Sequence, residues 1–159
     1  MFKLGELAAS GAVVPAIASG DREGAVAELV RALVHAGSLP PTLEADVVKR
    51  VLQREGRDST GFGCGVAVPH TKHPAVKRLL LAVGVSERGI DFSARDRQPV
   101  YSVFLLISPE ESPEDHLQAM ETIFRSISRV SFRRHLRAAQ TKEDLLAVLS
   151  ETDETRRAI

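Results

Sequence analysis

His70 is the residue whose setting most invites chemistry. It follows Pro69, whose ring fixes the backbone, and it closes a Gly-rich run from Thr60 to Gly65 and the short apolar stretch Val66-Ala67-Val68. A histidine placed there is aimed by the backbone rather than by flexible neighbours. With an ordinary pKa of about 6.5 its ring is mostly neutral at pH 7, so one ring nitrogen can attack phosphorus and the ring can later leave. Phosphoryl transfer asks its surroundings for positive or hydrogen-bond-donating groups around three equatorial oxygens. Arg54 and His116 are the candidates to supply them. A guanidinium grips phosphate with two parallel hydrogen bonds and stays charged. His116 stands in the first turn of a well-capped helix, where the positive helix end favours its neutral form.

Other reactive side chains fit less well. His73 forms an H-x-x-H pair with His70, a spacing that two metal ligands can use, but no Cys or carboxylate cluster completes a ligand set and Pro74 points to a loop. Cys64, between Gly63 and Gly65, reads as a small residue in a tight turn. His35 and His135 lie on helical patterns, at the surface or its boundary. Nothing in the sequence calls for a cofactor or a metal.

The elements that must position these residues are legible from periodicity. Val26, Leu29, Val30, Leu33 and Val34 mark one stripe of an amphipathic helix between Asp21 and Ala36, which Gly37 stops. After Pro40-Pro41, Thr42 is placed to cap a second helix carrying Leu43, Val47, Val48, Val51 and Leu52. His70 then sits at the end of a short strand. Leu79 to Val85 and Val100 to Ile107 are nearly continuous apolar runs, the pattern of strands covered on both faces. The polar stretch Glu87 to Pro99 between them reads as a loop or hairpin connection. Ser112-Pro113-Glu114-Asp115 starts a helix whose stripe is Leu117, Met120, Phe124 and Ile127. Ser131 to Ala139 is another helix. Thr141 to Asp144 caps a last one through Leu149, and Glu151 to Ile159 reads as a frayed tail. Helices before and after a group of strands predict a three-layer α/β/α sandwich with a mixed β-sheet flanked by helices.

The chain as a whole bounds the reading. Its 159 residues fit a single domain spanning 1–159, and 43% hydrophobic with 26% charged residues is globular. Lys+Arg and Asp+Glu balance at 21 each, a poor basis for holding nucleic acid by net field. The cluster Arg133, Arg134 and Arg137 reads as a solvated helix face. A lone cysteine, the absence of a signal-peptide pattern and the absence of a long apolar run predict a cytoplasmic protein with no direct membrane insertion.

The run Ser59-Thr60-Gly61-Phe62-Gly63-Cys64-Gly65-Val66-Ala67-Val68-Pro69-His70 closely resembles the active-site signature of enzyme IIA domains of the bacterial phosphotransferase system, in the fructose/mannitol branch that includes the nitrogen-regulatory proteins. The likeness extends from about Val13 to about Leu149 and includes D-x-x-P-V at Asp96 to Val100 and a late His116-Leu117. It implies that His70 is phosphorylated, that His116 helps hold the phosphoryl group, and that Arg54, with Glu55 beside it, contributes charge. The implied donor is the phosphohistidine form of the carrier HPr or its nitrogen-branch paralogue. The implied acceptor is a cysteine or histidine on a sugar-permease domain. The sequence departs from the pattern at Thr71, where a glycine usually follows the histidine, and at Cys64, a position often held by Asn, Asp or Gly.

The favoured expectation is therefore a free-standing phosphoryl carrier that accepts phosphate on His70 and passes it to a permease domain or uses it as a regulatory signal. A second reading is a regulatory interaction module, not a transferase, whose target binding is switched by the state of His70. A third is an interaction domain that keeps the fold without the chemistry.

Overall fold

A computed structural model describes residues 3–8, 12–57, 61–92 and 97–157. Ser59, Thr60 and Asp96, which carry part of the family signature, lie outside the described residues. The helices are α1 (Leu4–Leu7), α2 (Arg22–His35), α3 (Glu44–Arg57), α4 (Pro113–Ile127), α5 (Val130–Ala138) and α6 (Lys142–Arg157). The strands are β1 (Val13–Val14), β2 (Gly61–Gly63), β3 (Val66–Ala67), β4 (His70–His73), β5 (Leu80–Ile90) and β6 (Val100–Pro109).

One mixed sheet runs β1-β5-β6-β3-β2, with β4 also paired to β6. β5 and β6 are antiparallel at the centre, and β1 is parallel to β5. β3 and β4 both lie parallel to β6, in registers Val66↔Ser102 and His70↔Leu106. They are one strand interrupted at Val68-Pro69, because the Pro69 carbonyl still accepts from the Leu106 N–H at 3.0 Å.

Strand alternation sorts the apolar residues into two cores. Ala67, Leu80, Ala82, Val103, Leu105 and Ile107 pack with residues of α2 and α3. Val66, Val68, Leu81, Val83, Phe104 and Leu106 pack with residues of α1, α4, α5 and α6. The predicted three-layer sandwich is the observed one. Gly84 on β5 lets α2 come down closely, since a Cβ there would lie 2.6 Å from Ile17 Cδ1 and 2.9 Å from Leu29 Cδ2.

Several boundaries differ from expectation. Thr42 lies inside a 3-10 turn, Pro41–Leu43, that precedes α3. β5 continues through Glu87 to Ile90, so the first four residues of the polar stretch read as a loop or hairpin connection are strand. β4 carries the strand on through His73, and Pro74 ends it only afterwards. α6 runs to Arg157, through most of the stretch that reads as frayed. Ser112 stands at the N-cap of α4 without a side-chain cap bond, whereas the Thr141 hydroxyl accepts from the Asp144 N–H at 3.0 Å. The basic cluster on α5 is partly structural: Arg133 donates to the Ile127 carbonyl at 2.6 Å, and Arg137 lies 3.8 Å over the Tyr101 ring.

Candidate functional site

The parity of β4 decides which side chains share the site. Val66, Val68, His70 and Lys72 fall on one face of the strand, toward α4, while Ala67, Thr71 and His73 fall on the other, toward α3. His70 and His73 therefore point to opposite faces of the sheet. Three residues apart is one face of a helix but two faces of a strand, so the H-x-x-H pair cannot share a metal ion. Both ring nitrogens of His73 are engaged elsewhere, with Asp46 Oδ2 at 2.6 Å and the Ala75 N–H at 3.1 Å.

His70 is half-buried at the start of β4. Its Nδ1 lies 2.7 Å from the Val68 carbonyl oxygen, an acceptor only, so Nδ1 carries the proton and donates. The lone pair of the neutral ring is then on Nε2. His116 reaches the same place from α4, with ring centroids 5.5 Å apart and the planes tilted by 49°. Its Nδ1 lies 2.6 Å from the Ser108 hydroxyl, and Ser108 falls on the α4 side of β6 like Leu106. When that hydroxyl donates, His116 carries its proton on Nε2.

Burial is the first cause of a lowered pKa at both rings. At His70 the Val68 hydrogen bond opposes it, and the charges of Arg54 and Lys72 add to it. His116 is lowered to about 4 by burial, then by charge on His70 and by Lys72. Both imidazoles are neutral at pH 7. Arg54, at the far end of α3, is close enough for its charge to bear on His70, while Glu55 beside it turns inward, fully buried, to Arg22 of α2 at 4.0 Å. Lys72 escaped the sequence reading, which ended the strand at His70. The signal that finds it is the i, i+2 step from His70, once β4 is known to continue.

The lowered values have a consequence for stability. The unfolded chain protonates its histidines near pH 6.5, whereas folded His116 resists until about pH 4. Between those values the unfolded state binds more protons, so stability falls as pH drops from about 6.5 toward 4 and is unaffected by this group above 6.5. Urea midpoints measured at pH 7.5 and pH 5 are expected to differ, and His116→Gln is expected to reduce the difference. An equal difference in the variant would assign the acid sensitivity to other groups.

Cys64 sits at the tip between β2 and β3, exposed, with φ of +56° next to Gly65 at +79°. Two successive left-handed residues are what a tight hairpin of this kind demands. Leu117, the residue after His116 in α4, is 63% exposed, an apolar side chain left facing solvent. Among the described residues no group of three or more His, Cys, Asp or Glu is placed to hold a metal ion, and no helix is long and apolar enough to cross a membrane.

The chain is similar to known proteins over most of its length. The family described as "Phosphoenolpyruvate-dependent sugar phosphotransferase system, EIIA 2" matches residues 9–152. A fructose-specific EIIA component of the phosphotransferase system from Haloferax volcanii is 35% identical over 133 residues, covering 84% of this chain and 85% of that protein. The crystal structure of nitrogen regulatory protein IIA-Ntr from Neisseria meningitidis superposes with a TM-score of 0.81 at 30% identity, covering 91% of this chain and 97% of that one. The mannitol enzyme IIA of Escherichia coli, solved as a complex with phosphorylated enzyme IIB, shares the fold with a TM-score of 0.74 at 17% identity, over 89% of this chain and 95% of that one.

Proposed function

The chain belongs to the EIIA 2 family of the phosphoenolpyruvate-dependent sugar phosphotransferase system, and from that premise we propose that it carries a phosphoryl group on Nε2 of His70. The observation that supports this most directly is the Nδ1 contact with the Val68 carbonyl, which leaves Nε2 as the nucleophile. In the forward step Nε2 forms a bond to phosphorus, the N–P bond of a phosphohistidine donor breaks, and its electron pair returns to the donor's ring. No proton needs to move. Phosphorylated His70 keeps its Nδ1 proton, and the Val68 carbonyl then faces a positively charged ring.

Arg54, His116 and Lys72 surround that step in this reading. The Ser108 hydroxyl holds the His116 tautomer with Nε2–H available to a phosphoryl oxygen. Arg54 supplies a permanent charge and Lys72 a second one from the same strand face as His70. The donor is an HPr-like phosphocarrier, by resemblance, and the acceptor is a IIB-type domain, supported by the fold shared with the IIA of the mannitol IIA–IIB complex. Leu117 offers the small apolar contact that a transient complex uses. The cytoplasm is where such partners meet.

Regulatory use of the same phosphorylated state is favoured by the Neisseria meningitidis likeness. It is separated from sugar transport by whether a partner protein binds differently to the two states without any effect on uptake. The primary test is phosphoryl transfer from labelled phosphoenolpyruvate through enzyme I and an HPr-type carrier, with the product examined by phosphorus NMR. Acid-labile label at Nε2 of His70 is the expected result. Label at Nδ1, or none from a competent donor chain of the same organism, overturns the assignment.

A further inference from the structure

α3 and β4 are linked at two levels, by a hydrogen bond between Asp46 and His73 and by the charge of Arg54 acting on His70, and the spacing of the two levels matches on both elements. Asp46 and Arg54 are eight residues apart on α3, about 12 Å of helix axis. His73 and His70 are three apart on β4, about 10 Å of strand. Asp46 bonds His73 at one end, and Arg54 bears on His70 at the other. The helix therefore runs antiparallel to the strand, with Arg54 at the His70 end.

The Asp46–His73 contact is built to hold still. His73 is 3% exposed, and its Nε2–H donates to Asp46 Oδ2 at 2.6 Å. Its Nδ1 accepts from the Ala75 N–H at 3.1 Å, which prevents the ring from flipping. The His73 carbonyl accepts from the N–H groups of Val76 and Glu110, both at 3.3 Å. Arg50 Nε donates to the same Asp46 oxygen at 3.1 Å. Val47 and Val51 press α3 onto the sheet by apolar contact, while Glu44 and Glu55 tie it to Arg31 and Arg22 of α2. Hydrophobic contact is non-directional and tolerates a slide along the helix axis, whereas a hydrogen bond does not.

We propose that Asp46 and His73 are a positioning pair that fixes the axial register of α3 against β4 and so holds Arg54 beside His70. The pair touches neither the phosphoryl group nor His70 and acts only through Arg54. This rests on the phosphoryl-carrier reading for its effect on rate, but not for its effect on geometry.

The test is a double-mutant cycle of Asp46→Ala with Arg54→Ala, reading phosphoryl uptake from a phosphorylated HPr-type donor and, with no donor present, the ring titration of His70 by NMR. Asp46→Ala is expected to slow uptake about tenfold when Arg54 is present, in kcat rather than in KM for the donor, and less than about twofold when Arg54 is already alanine. Asp46→Asn, whose amide oxygen still accepts from His73, is expected to stay near the wild-type rate. The His70 pKa should rise in Asp46→Ala and in Arg54→Ala, and rise no further in the double variant. Equal losses in both backgrounds, or a folded Asp46→Ala with unchanged uptake and unchanged His70 titration, overturn the proposal. If the wild type takes no label, the carrier reading fails, and the ring titration alone then decides the register.

Discussion

His70→Ala is expected to take up no phosphoryl group from a phosphorylated donor, with label falling to background, a loss on the order of 10⁴-fold or more. The size follows from the lack of a substitute. His73 has both ring nitrogens occupied and faces the opposite side of the sheet. His116 is in place, but its Nδ1 is held by Ser108 and its Nε2 presents a proton rather than a lone pair when that hydroxyl donates. Its pKa of about 4 also marks it as a poor base. His70 is half-buried and makes one side-chain hydrogen bond, to Val68, so the variant is expected to remain folded. Gel autoradiography after incubation with labelled phosphoenolpyruvate and the donor chain reads the outcome. Label persisting in His70→Ala would move the acceptor to another ring.

The second large effect is expected from removing a group that meets the developing charge. His116→Ala and Arg54→Ala should each slow transfer by about 100- to 1,000-fold, the usual loss of one oriented donor in a water-poor site. The two differ in kind. Arg54 brings a guanidinium fork able to grip two phosphoryl oxygens, whereas His116 contributes a single directed N–H whose availability depends on Ser108. Rapid-quench measurement of the first turnover separates these effects from partner binding. A loss well below tenfold in either variant would make that residue a bystander.

The sheet and most helices were legible because periodicity survives without tertiary detail. Leu79 to Val85 and Val100 to Ile107 read as doubly covered strands, and the two cores lie on their two faces. What escaped were elements too short to show a period: α1, and β1 with its two residues. Pro74 was misleading, since a proline can follow a strand's last hydrogen bond as readily as precede its first. That single boundary hid Lys72, because strand parity has meaning only where a strand exists. The convergence of His70 with His116 could be anticipated from residue types and from the family signature. The contact of Asp46 with His73 spans 27 residues and depends on how a helix lies on a sheet, so no local pattern announces it. Cys64 shows the reverse. Its φ of +56° lies in the left-handed region that Asn, Asp and Gly enter most easily, which suits the residues the family resemblance leads one to expect there.

The two imidazoles stand 5.5 Å apart, each partly exposed to solvent. A giver and a receiver of the phosphoryl group that both reach Nε2 of His70 must take turns there. Double-reciprocal plots at several donor concentrations then run parallel, and an excess of either partner inhibits by occupying the form that should meet the other. The phosphorylated fraction becomes a running ratio of supply to demand, and any third protein that distinguishes the two forms reads that ratio without joining the traffic.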